Sequence, residues 1–335
     1  MSVSLWSPIY WYGNYLRLCF FAAGLTSQIT NLDNGKTTIH FWGPKFINTT
    51  KPSLVLIHGF GPVPTWQWRN QVTYFAPKFN VYVPELIFFG QSTTQLADRS
   101  EQFQADTVAK LMEKIGVKKY SVVGTSYGGF VAYNVAKRWA DRVDKVVIAS
   151  SATNMRLRDS MELLKRAKVE KIQDLFLPTS VARLRTLLTL TVYNFSKFVP
   201  YSLLDDMLRV IFFYIKHMLF SDNREEKSEL FDGVTIGRDN QAHVVPLNKN
   251  PNMKKMYFAK YNYIISILFT YKHILQEVLL VWGDHDQIFP IEETVELKQL
   301  LGKNVKLEVI KEASHLPNIE KADQFNQILN NFLFN

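Results

Sequence analysis

The feature that most limits the fold of this chain is a series of short apolar runs that alternate with helical stretches. Two of these runs are Ser53-Leu-Val-Leu-Ile57 and Val278-Leu-Leu-Val-Trp282. Strands that are apolar on both faces and alternate with helices indicate a parallel sheet covered on both sides. The sequence therefore predicts an α/β fold, with a mostly parallel central sheet flanked by helices. The predicted strands are residues 37–42, 53–57, 81–83, 120–123, 143–148, 278–282 and 305–310, and the predicted helices are residues 66–75, 100–115, 130–139, 291–301 and 321–334.

The alternation breaks between residues 152 and 276. That stretch is helical in pattern, is rich in Leu, Phe, Tyr and basic residues, and has no clear strand. A helical insertion between two strands of one sheet is typical of a cap over a functional site. We therefore predict a core of residues 28–151 and 277–335, a helical cap of residues 152–276, and a separate apolar and aromatic segment at residues 1–27.

The segment Gly124-Thr-Ser-Tyr-Gly128 carries the strongest functional signal. It fits the pattern G-x-S-x-G, with a predicted strand before it and a predicted helix after it, which is the context that a nucleophilic serine needs. The turn between strand and helix is so tight that small residues, here Gly124 and Gly128, must flank the serine. This geometry lifts the hydroxyl above the carboxyl edge of the sheet, where a ligand can reach it. Ser126 is therefore the predicted nucleophile.

A serine nucleophile needs a histidine as general base, and the histidine needs an orienting acid. Of the seven histidines, His315 alone combines a late position with a loop between a predicted strand and a predicted helix. Asp286 follows an apolar strand, and the chain order Ser, acid, His is the expected one. Asp284 competes for the role of the acid, but its position is typical of a turn residue. We therefore predict a triad of Ser126, Asp286 and His315.

Acyl transfer also needs hydrogen-bond donors for the oxyanion of a tetrahedral intermediate. Leu56-Ile-His-Gly-Phe-Gly61 follows an early strand and supplies a glycine-rich turn. The predicted donors are the backbone N–H groups of Phe60 and Tyr127. His58 and Gly59 are predicted to support this loop, and we expect the His58 side chain to brace it rather than to take part in catalysis.

Together these residues resemble the α/β-hydrolase superfamily, in particular its capped lipase and esterase branch. The resemblance covers the predicted core on both sides of the insertion. It implies that Ser126, Asp286 and His315 form the catalytic triad beside the oxyanion loop. Three segments look like those of plant proteins described as monoacylglycerol lipase-like or carboxylesterase-like: Gly61 with Trp66-Gln-Trp-Arg-Asn-Gln71, Pro84-Glu-Leu-Ile-Phe-Phe-Gly-Gln-Ser92, and the Asp286 loop.

The chain departs from the pattern of this superfamily in two places. Glu85 stands where an aspartate is common, in a loop that we expect to be structural. At residues 249–275 the family leads us to expect a much shorter passage from cap to strand. This stretch is rich in Phe, Tyr, Met, Ile, Asn and Lys, whose codons are AT-rich. We hypothesise that it is a retained intron or a gene-model error, and the alternative is a real extension of the cap. Sequencing the transcript separates the two.

The composition excludes several other classes of protein. A hydrophobic fraction of 47% with 21% charged residues is typical of a packed globular chain. Cys19 is the single cysteine, so an intramolecular disulfide framework and a Cys-rich zinc site are excluded. The formal charge of +9 is dispersed and accompanies no recognisable nucleic-acid module. We therefore expect no nucleic-acid partner, and catalysis by a serine triad needs no metal and no organic cofactor.

The N-terminal segment is aromatic and apolar, but it is shorter than a membrane span and is interrupted by Arg17. It also lacks the charge pattern of a secretory signal. A helix packed on the protein's own core and an interfacial helix in peripheral contact with a membrane both fit this segment. We expect a cytoplasmic monomer, with peripheral membrane contact through the N-terminus as the alternative.

These residues predict that the protein hydrolyses carboxylic esters through an acyl-enzyme on Ser126. The aromatic, apolar character of the predicted cap favours a lipophilic ester such as a monoacylglycerol. Epoxide hydrolases and haloalkane dehalogenases are excluded, because they need a carboxylate where this chain has Ser126. Three alternatives stay open: hydrolysis of a carbon–carbon bond with the same triad, acyl transfer to an alcohol instead of water, and a ligand receptor or non-catalytic protein on a hydrolase scaffold.

Overall fold

A nine-stranded sheet runs through the part of the chain that the structure describes. The structure is a computed structural model, and it describes residues 7–61, 64–196, 198–218, 227, 229–230 and 274–335. The strands are β1 (Leu25–Leu32), β2 (Thr37–Pro44), β3 (Ser53–Ile57), β4 (Asn80–Pro84), β5 (Thr93–Thr94), β6 (Tyr120–Thr125), β7 (Val143–Ala149), β8 (Glu277–Gly283) and β9 (Val305–Ile310).

The strand order in the sheet is β1-β2-β4-β3-β6-β7-β8-β9, and β5 pairs with β2 outside this path. The pairs β1·β2, β2·β4 and β2·β5 are antiparallel. All pairs from β4 through β3, β6, β7 and β8 to β9 are parallel. The predicted fold class, a mostly parallel central sheet flanked by helices, is therefore confirmed.

Helices cover both faces of this sheet. They are α1 (Pro8–Ala22), α2 (Pro64–Phe75), α3 (Glu101–Lys114), α4 (Tyr127–Arg138), α5 (Leu157–Ala167), α6 (Ile172–Phe176), α7 (Val181–Thr191), α8 (Tyr201–Met218), α9 (Ile291–Leu301), α10 (Pro317–Glu320) and α11 (Ala322–Phe334), with short 3-10 helices at Asp33–Gly35 and Ala140–Arg142. None of the helices that the structure describes is long and apolar enough to cross a membrane.

The apolar runs of the sequence become strands because both sides of each central strand are buried. Successive side chains of a strand point to opposite faces. In β3, Val55 and Ile57 lie in the core that α3 and α4 cover, and Leu54 and Leu56 lie in the core that α1, α2 and α11 cover. All four side chains are fully buried. A half-buried strand would instead alternate apolar and polar residues.

Each strand and helix predicted individually is present, with ends within two residues except at the start of α4, whereas β1, β5 and the short α10 were not predicted. The strand β1 was not predicted, because between its buried ends Leu25 and Leu32 its side chains are only partly buried or exposed and largely polar. It also crosses the predicted boundary between residues 27 and 28. The short strand β5 has no apolar run to reveal it. Helix α4 begins at Tyr127 rather than at residue 130, because it starts immediately after the serine turn.

Between β7 and β8 the described residues form helices only, α5 to α8. This segment is where the sequence predicts a cap, and the division of the chain into core and cap stays a prediction. Residues 249–273 lie outside the described residues, so the hypothesis of a retained intron stays a hypothesis about the sequence.

The parallel order brings the candidate functional segments to one edge of the sheet. The glycine-rich loop follows β3, Ser126 follows β6, Asp286 follows β8 and His315 follows β9. Because the carboxyl ends of parallel strands meet at the same edge, four segments that are far apart in sequence lie close together there.

Candidate active site

Ser126 lies in a strand-to-helix turn with an unusual backbone conformation. Its φ of 52° and ψ of −124° fall outside the regions that L-residues normally adopt. The turn is so tight that a Cβ on Gly124 would lie 2.1 Å from the carbonyl oxygen of Gly128. A Cβ on Gly128 would lie 2.3 Å from the carbonyl oxygen of Ile57 in β3. Both glycines are therefore required for the close approach of β6, α4 and β3.

His315 connects Ser126 to Asp286 through hydrogen bonds. The distance from His315 Nε2 to Ser126 Oγ is 2.9 Å, and His315 Nδ1 lies 2.9 Å from Asp286 Oδ2 and 3.1 Å from Asp286 Oδ1. All three residues are buried, each less than a tenth exposed. The arrangement is satisfied when Nδ1–H donates to the carboxylate and Nε2 accepts the serine hydroxyl proton, a tautomer assigned from the hydrogen-bond network.

The carboxylate of Asp286 is held in place by the turn that contains it. The backbone N–H groups of Ile288 and Phe289 donate to Asp286 Oδ1 at 2.9 and 3.0 Å. Asp284, the competing candidate in the sequence, instead faces Lys311 and His285, at 3.7 and 3.8 Å. The structure therefore brings Asp286, and not Asp284, to the histidine.

The histidine loop is fixed by a carboxylate that the sequence did not reveal. Glu320 accepts hydrogen bonds from the backbone N–H of Ser314 at 2.9 Å and of Tyr193 at 2.6 Å. The backbone N–H of His315 itself donates to the carbonyl oxygen of Thr191, at the end of α7, over 3.2 Å. The His315 loop and the segment after α7 are thus joined at two points.

The glycine-rich loop lies directly against the serine. A Cβ on Gly59 would come within 2.8 Å of Ser126 Cβ, so the main chain that leads into Phe60 passes beside the nucleophile. Gly59 N–H donates to Gln67 Oε1 in α2 at 2.7 Å, which fixes the loop. Tyr127 is the first residue of α4, where backbone N–H groups have no acceptor within the helix.

His58 connects two loops at the base of the site. Its Nδ1 lies 2.8 Å from the carbonyl oxygen of Gly59, and its Nε2 accepts from the backbone N–H of Leu86 at 3.0 Å. Burial lowers the pKa of the His58 imidazole to about 4, so the ring is neutral at physiological pH. His58 does not contact Ser126 by any of these hydrogen bonds.

Glu85 anchors the loop that follows β4. Its carboxylate accepts from the backbone N–H of Gln91 at 2.8 Å and pairs with His40 Nδ1 at 3.0 Å. Gly90, with a φ of 56°, passes so close to this carboxylate that a Cβ there would clash with it. These contacts show what holds this loop in its structural position.

An acidic side chain in α9 lies near the triad without belonging to it. Glu293 Oε2 is buried and has no hydrogen-bond partner among the residues that the structure describes. Burial, together with the negative charges of Asp159 and Asp286, raises the pKa of Glu293 to about 8. The side chain is therefore mostly neutral at pH 7, which limits its repulsion of Asp286.

The sequence could have identified Gln67 and Gln71 as a polar face of α2. Gln67 and Gln71 are four residues apart in α2, so they share one helix face. Gln71 donates to the carbonyl oxygen of Asn318 at 2.9 Å, and Asn318 donates to that of Gln67 at 2.8 Å. This polar face joins the glycine-rich loop to the histidine side. Glu320, by contrast, looks in sequence like an ordinary surface glutamate.

No group of three His, Cys, Asp or Glu side chains that could hold a metal ion occurs within the described ranges of the chain. The chemistry that the observed groups allow is that of an activated serine: a nucleophile, a base that can take its proton, a carboxylate that orients the base, and helix-terminal N–H groups beside the reacting oxygen.

Comparison with known proteins gives relatives of two kinds. A 2-hydroxy-6-oxononadienedioate/2-hydroxy-6-oxononatrienedioate hydrolase from a Pseudomonas species is 24% identical over 292 residues, which cover 84% of this chain and 87% of the relative. A solved bacterial membrane phospholipase A, described as a virulence factor, has a TM-score of 0.72 and 20% identity over 98% of this chain and 92% of its own. The carboxylesterase CesB from Bacillus subtilis has a TM-score of 0.61 and 17% identity over 96% of this chain and 98% of its own.

The two structural similarities show a shared fold at low sequence identity. The family assignment comes from the sequence itself, because residues 52–322 match the family model described as alpha/beta hydrolase fold. That range contains the glycine-rich loop, Ser126, Asp286 and His315. The chain therefore belongs to the α/β-hydrolase family.

Proposed function

We propose that this protein is a serine hydrolase that cleaves carboxylic esters through an acyl-enzyme on Ser126. The observation that carries the proposal is the continuous line of hydrogen bonds from Ser126 through His315 to Asp286. A hydrogen bond of 2.9 Å between nucleophile and base lies in the range that proton transfer needs.

In the proposed reaction His315 Nε2 takes the hydroxyl proton as Ser126 Oγ attacks the ester carbonyl. The imidazolium that forms is stabilised by the carboxylate of Asp286, which also holds the ring in the productive tautomer. His315 then donates the proton to the departing alcohol. Water repeats the sequence on the acyl-enzyme, with His315 again as base, and frees the acid and Ser126.

The tetrahedral intermediates need donors for their negatively charged oxygen. We assign this role to the backbone N–H groups of Phe60 and Tyr127. The close approach of Gly59 to Ser126 supports the first, and the position of Tyr127 at the start of α4 supports the second, because the helix N-terminus carries partial positive charge.

The substrate class that we propose is a lipophilic ester, such as a monoacylglycerol. The Phe60 ring packs near those of Phe89, Tyr127 and Phe176, with centroids 5.1, 6.2 and 6.3 Å away. An aromatic wall beside the oxyanion loop suits an apolar acyl or alcohol group. The structural likeness to a phospholipase and a carboxylesterase is in keeping with this substrate, as is the sequence resemblance to plant monoacylglycerol lipase-like proteins.

Hydrolysis of a carbon–carbon bond with the same triad is the second candidate. The Pseudomonas relative is described as a hydrolase of a dienedioate, a substrate with two carboxylates. Lys227 is fully buried, and its Nζ lies 5.0 Å from the centroid of the Phe89 ring. A cation next to the aromatic wall of the site suits a substrate that carries a carboxylate.

The test uses the purified full chain with a fluorophosphonate probe, and Ser126→Ala beside it. Ser121→Ala, which replaces a buried serine in β6, the strand that precedes Ser126, is the matched control. We expect the wild-type protein and the control to be labelled and Ser126→Ala to be unlabelled. Absence of labelling in the folded wild type would contradict the proposal and favour a ligand receptor on this scaffold.

Turnover then separates the two candidates. Wild-type protein that has not been exposed to the probe should hydrolyse p-nitrophenyl esters, with kcat/KM rising as the acyl chain lengthens. If Ser126 reacts with the probe but unlabelled protein prefers a 2-hydroxy-6-oxo-dienoate over every ester, by a ratio on the order of 100-fold or more, the protein would instead be a carbon–carbon bond hydrolase.

A further inference from the structure

One face of α1 is aromatic, apolar and exposed. Trp11, Tyr15, Leu18 and Phe21 are 56%, 53%, 64% and 50% exposed. Their spacing of four, three and three residues puts them on one side of the helix, which we call the α1 aromatic face. Leu16 and Phe20, on the other side, are fully buried. One apolar side of α1 thus packs against the protein core, and a second apolar side is exposed.

Exposed apolar side chains continue this surface beyond both ends of α1. Phe46 is 79% exposed, and it follows the pair Leu25–Pro44 that joins β1 to β2 just after α1. At the other end the Ser7 hydroxyl donates to Asp206 of α8 at 2.9 Å, and Tyr201 at the start of α8 is 67% exposed. Exposed apolar side chains therefore also lie near both ends of α1.

The charge around α1 is mostly basic, with Asp206 of α8, which accepts from Ser7, as an acidic exception. From residue 1 to residue 84 the sequence has six Lys and Arg residues and one acidic residue, Asp33, so this quarter of the chain carries +5 of the formal charge of +9. Asp33 and Lys36 both lie at the end of β1 remote from α1, about 25 Å away along the strand, so neither contributes to the charge beside the helix. Arg17 lies in α1 itself, and Arg69 Nη1 donates to the Tyr12 hydroxyl at 2.8 Å.

We infer that the α1 aromatic face docks the protein on the surface of an anionic phospholipid membrane. Trp and Tyr have apolar rings with a polar tip, which suits the boundary between headgroups and acyl chains. A helix that lies in this boundary buries one apolar side and gains from basic residues opposite anionic headgroups. The mostly basic surroundings favour an anionic membrane over a second copy of this chain, which would bring the same charge to the contact.

Docking at this face would bring the candidate active site close to the membrane. The Tyr12 ring of α1 packs edge-on against Trp66 of α2, with centroids 5.3 Å apart. The next residue, Gln67, holds Gly59 of the oxyanion loop. The inference goes beyond the proposed function, because membrane binding needs no turnover and the two can fail separately.

The experiment measures co-sedimentation of the full chain with vesicles of phosphatidylcholine, with and without phosphatidylglycerol. The test variant is Trp11→Gln/Tyr15→Gln/Leu18→Gln. The matched control is Met161→Gln/Val295→Gln, which removes two side chains that are 51% and 47% exposed on α5 and α9. Labelling of Ser126 by the fluorophosphonate probe, together with circular dichroism, reports whether each variant is folded.

We expect the wild type and the control to bind the phosphatidylglycerol vesicles, and the test variant to bind them about tenfold less strongly. Added salt should weaken the binding of the wild type. Where the triple variant is unstable, Leu18→Gln alone removes the most exposed side chain of the face and should still weaken binding.

Three results would overturn the inference: no binding of the wild type to anionic vesicles, equal binding of the test variant, or an equal loss in the control. A dimer of the wild type in analytical ultracentrifugation that the test variant abolishes would assign the face to a second copy instead. Membrane binding by Ser126→Ala at the wild-type level would show that docking does not depend on the proposed hydrolase function.

Discussion

Ser126 and His315 lie 2.9 Å apart, yet the chain positions them by different means. Ser126 is held by steric fit, because Gly124 and Gly128 allow main chains to approach where a Cβ would clash. His315 and Asp286 are held by hydrogen bonds from backbone N–H groups to carboxylates and carbonyl oxygens. The serine turn should therefore tolerate almost no change, whereas the loss of a single hydrogen bond that positions the His315 loop should lower activity by degrees.

The largest effect on the stability of the fold is expected for Gly128→Ala. The new Cβ would lie 2.3 Å from the carbonyl oxygen of Ile57, and backbone atoms cannot move aside without separating β3 from α4. We expect a loss of about 3 kcal/mol or more in the free energy of unfolding, measured by urea denaturation. Gly13→Ala in α1, where the nearest atom is 4.0 Å away, should leave the stability unchanged or slightly raised. Similar stabilities for the two variants would contradict the conclusion that Ser126 is held by steric fit.

Asp286→Asn should leave the fold intact and lower kcat by about 10⁴-fold. Because the N–H groups of Ile288 and Phe289 point at Oδ1, the amide oxygen will take that place and the NH₂ group will face His315. The imidazole must then accept at Nδ1 and carry its proton on Nε2, where it cannot take the proton of Ser126. Asp284→Asn is the control and should retain nearly full activity with the same esters. A large loss in that control would show that the acid is wrongly assigned.

Glu293→Gln tests how pH changes the stability of the protein through a buried carboxyl group near Asp286. Below pH 4.5 the carboxyl is protonated in both the folded and the unfolded chain. Between its ordinary pKa of 4.5 and its folded pKa of about 8, the unfolded chain loses the proton and the folded chain keeps it, so wild-type stability falls as the pH rises. The variant does not titrate, and it should gain about 2 kcal/mol on the wild type between about pH 6 and pH 8.

The measurement for Glu293→Gln is urea denaturation across that pH range, with Glu292→Gln as control. Glu292 is exposed on the same helix, so its replacement should leave the pH dependence of the wild type unchanged. Parallel stability curves for the Glu293 variant and the wild type would show that this carboxyl is ionised in the folded protein.

The smallest effect is expected for Glu320→Gln. The amide can accept only one of the two hydrogen bonds from Ser314 and Tyr193, so the histidine loop should loosen without coming apart. We expect kcat to fall about tenfold at an unchanged rate of folding, since small misplacements of a catalytic group are costly. Glu312→Gln, which removes an exposed carboxylate 3.3 Å from Lys321, is the control and should have no effect. A loss on the order of 10³-fold would make the histidine side as intolerant as the serine side.

The central strands and the site loops were accessible from the sequence because each has a strong local cause. The β3 run at residues 53–57 is apolar on both faces, so its bounds match the structure residue for residue. The serine turn needs small residues at fixed spacing, which makes Gly124 and Gly128 visible in the sequence. The preference for Asp286 over Asp284 agrees with the observed geometry, in which Asp286 reaches His315.

What the sequence did not reveal depends on contacts between distant segments. Among the strands that the structure describes, β1 pairs only with β2 and lies at the edge of the sheet, so its side chains need not be apolar. Glu320 acts on Tyr193 across 127 residues of chain, and no local pattern distinguishes it from a solvated glutamate. The apolar character of α1 was visible in the sequence. Only the packing of Leu16 and Phe20 shows which side of the helix is buried.

The position of β8 in the sheet has a consequence for how the protein acquires reactivity as it folds. Parallel pairing of β8 with β7 must close over the whole segment of residues 150–276, and contacts between such distant parts of a chain form slowly. The strands β3, β6 and β7, which build the serine turn, are separated by much shorter connections. Until β8 and β9 dock, Ser126 has neither its base nor its acid. A partly folded chain therefore holds an inert hydroxyl, and reactivity appears only with completion of the sheet.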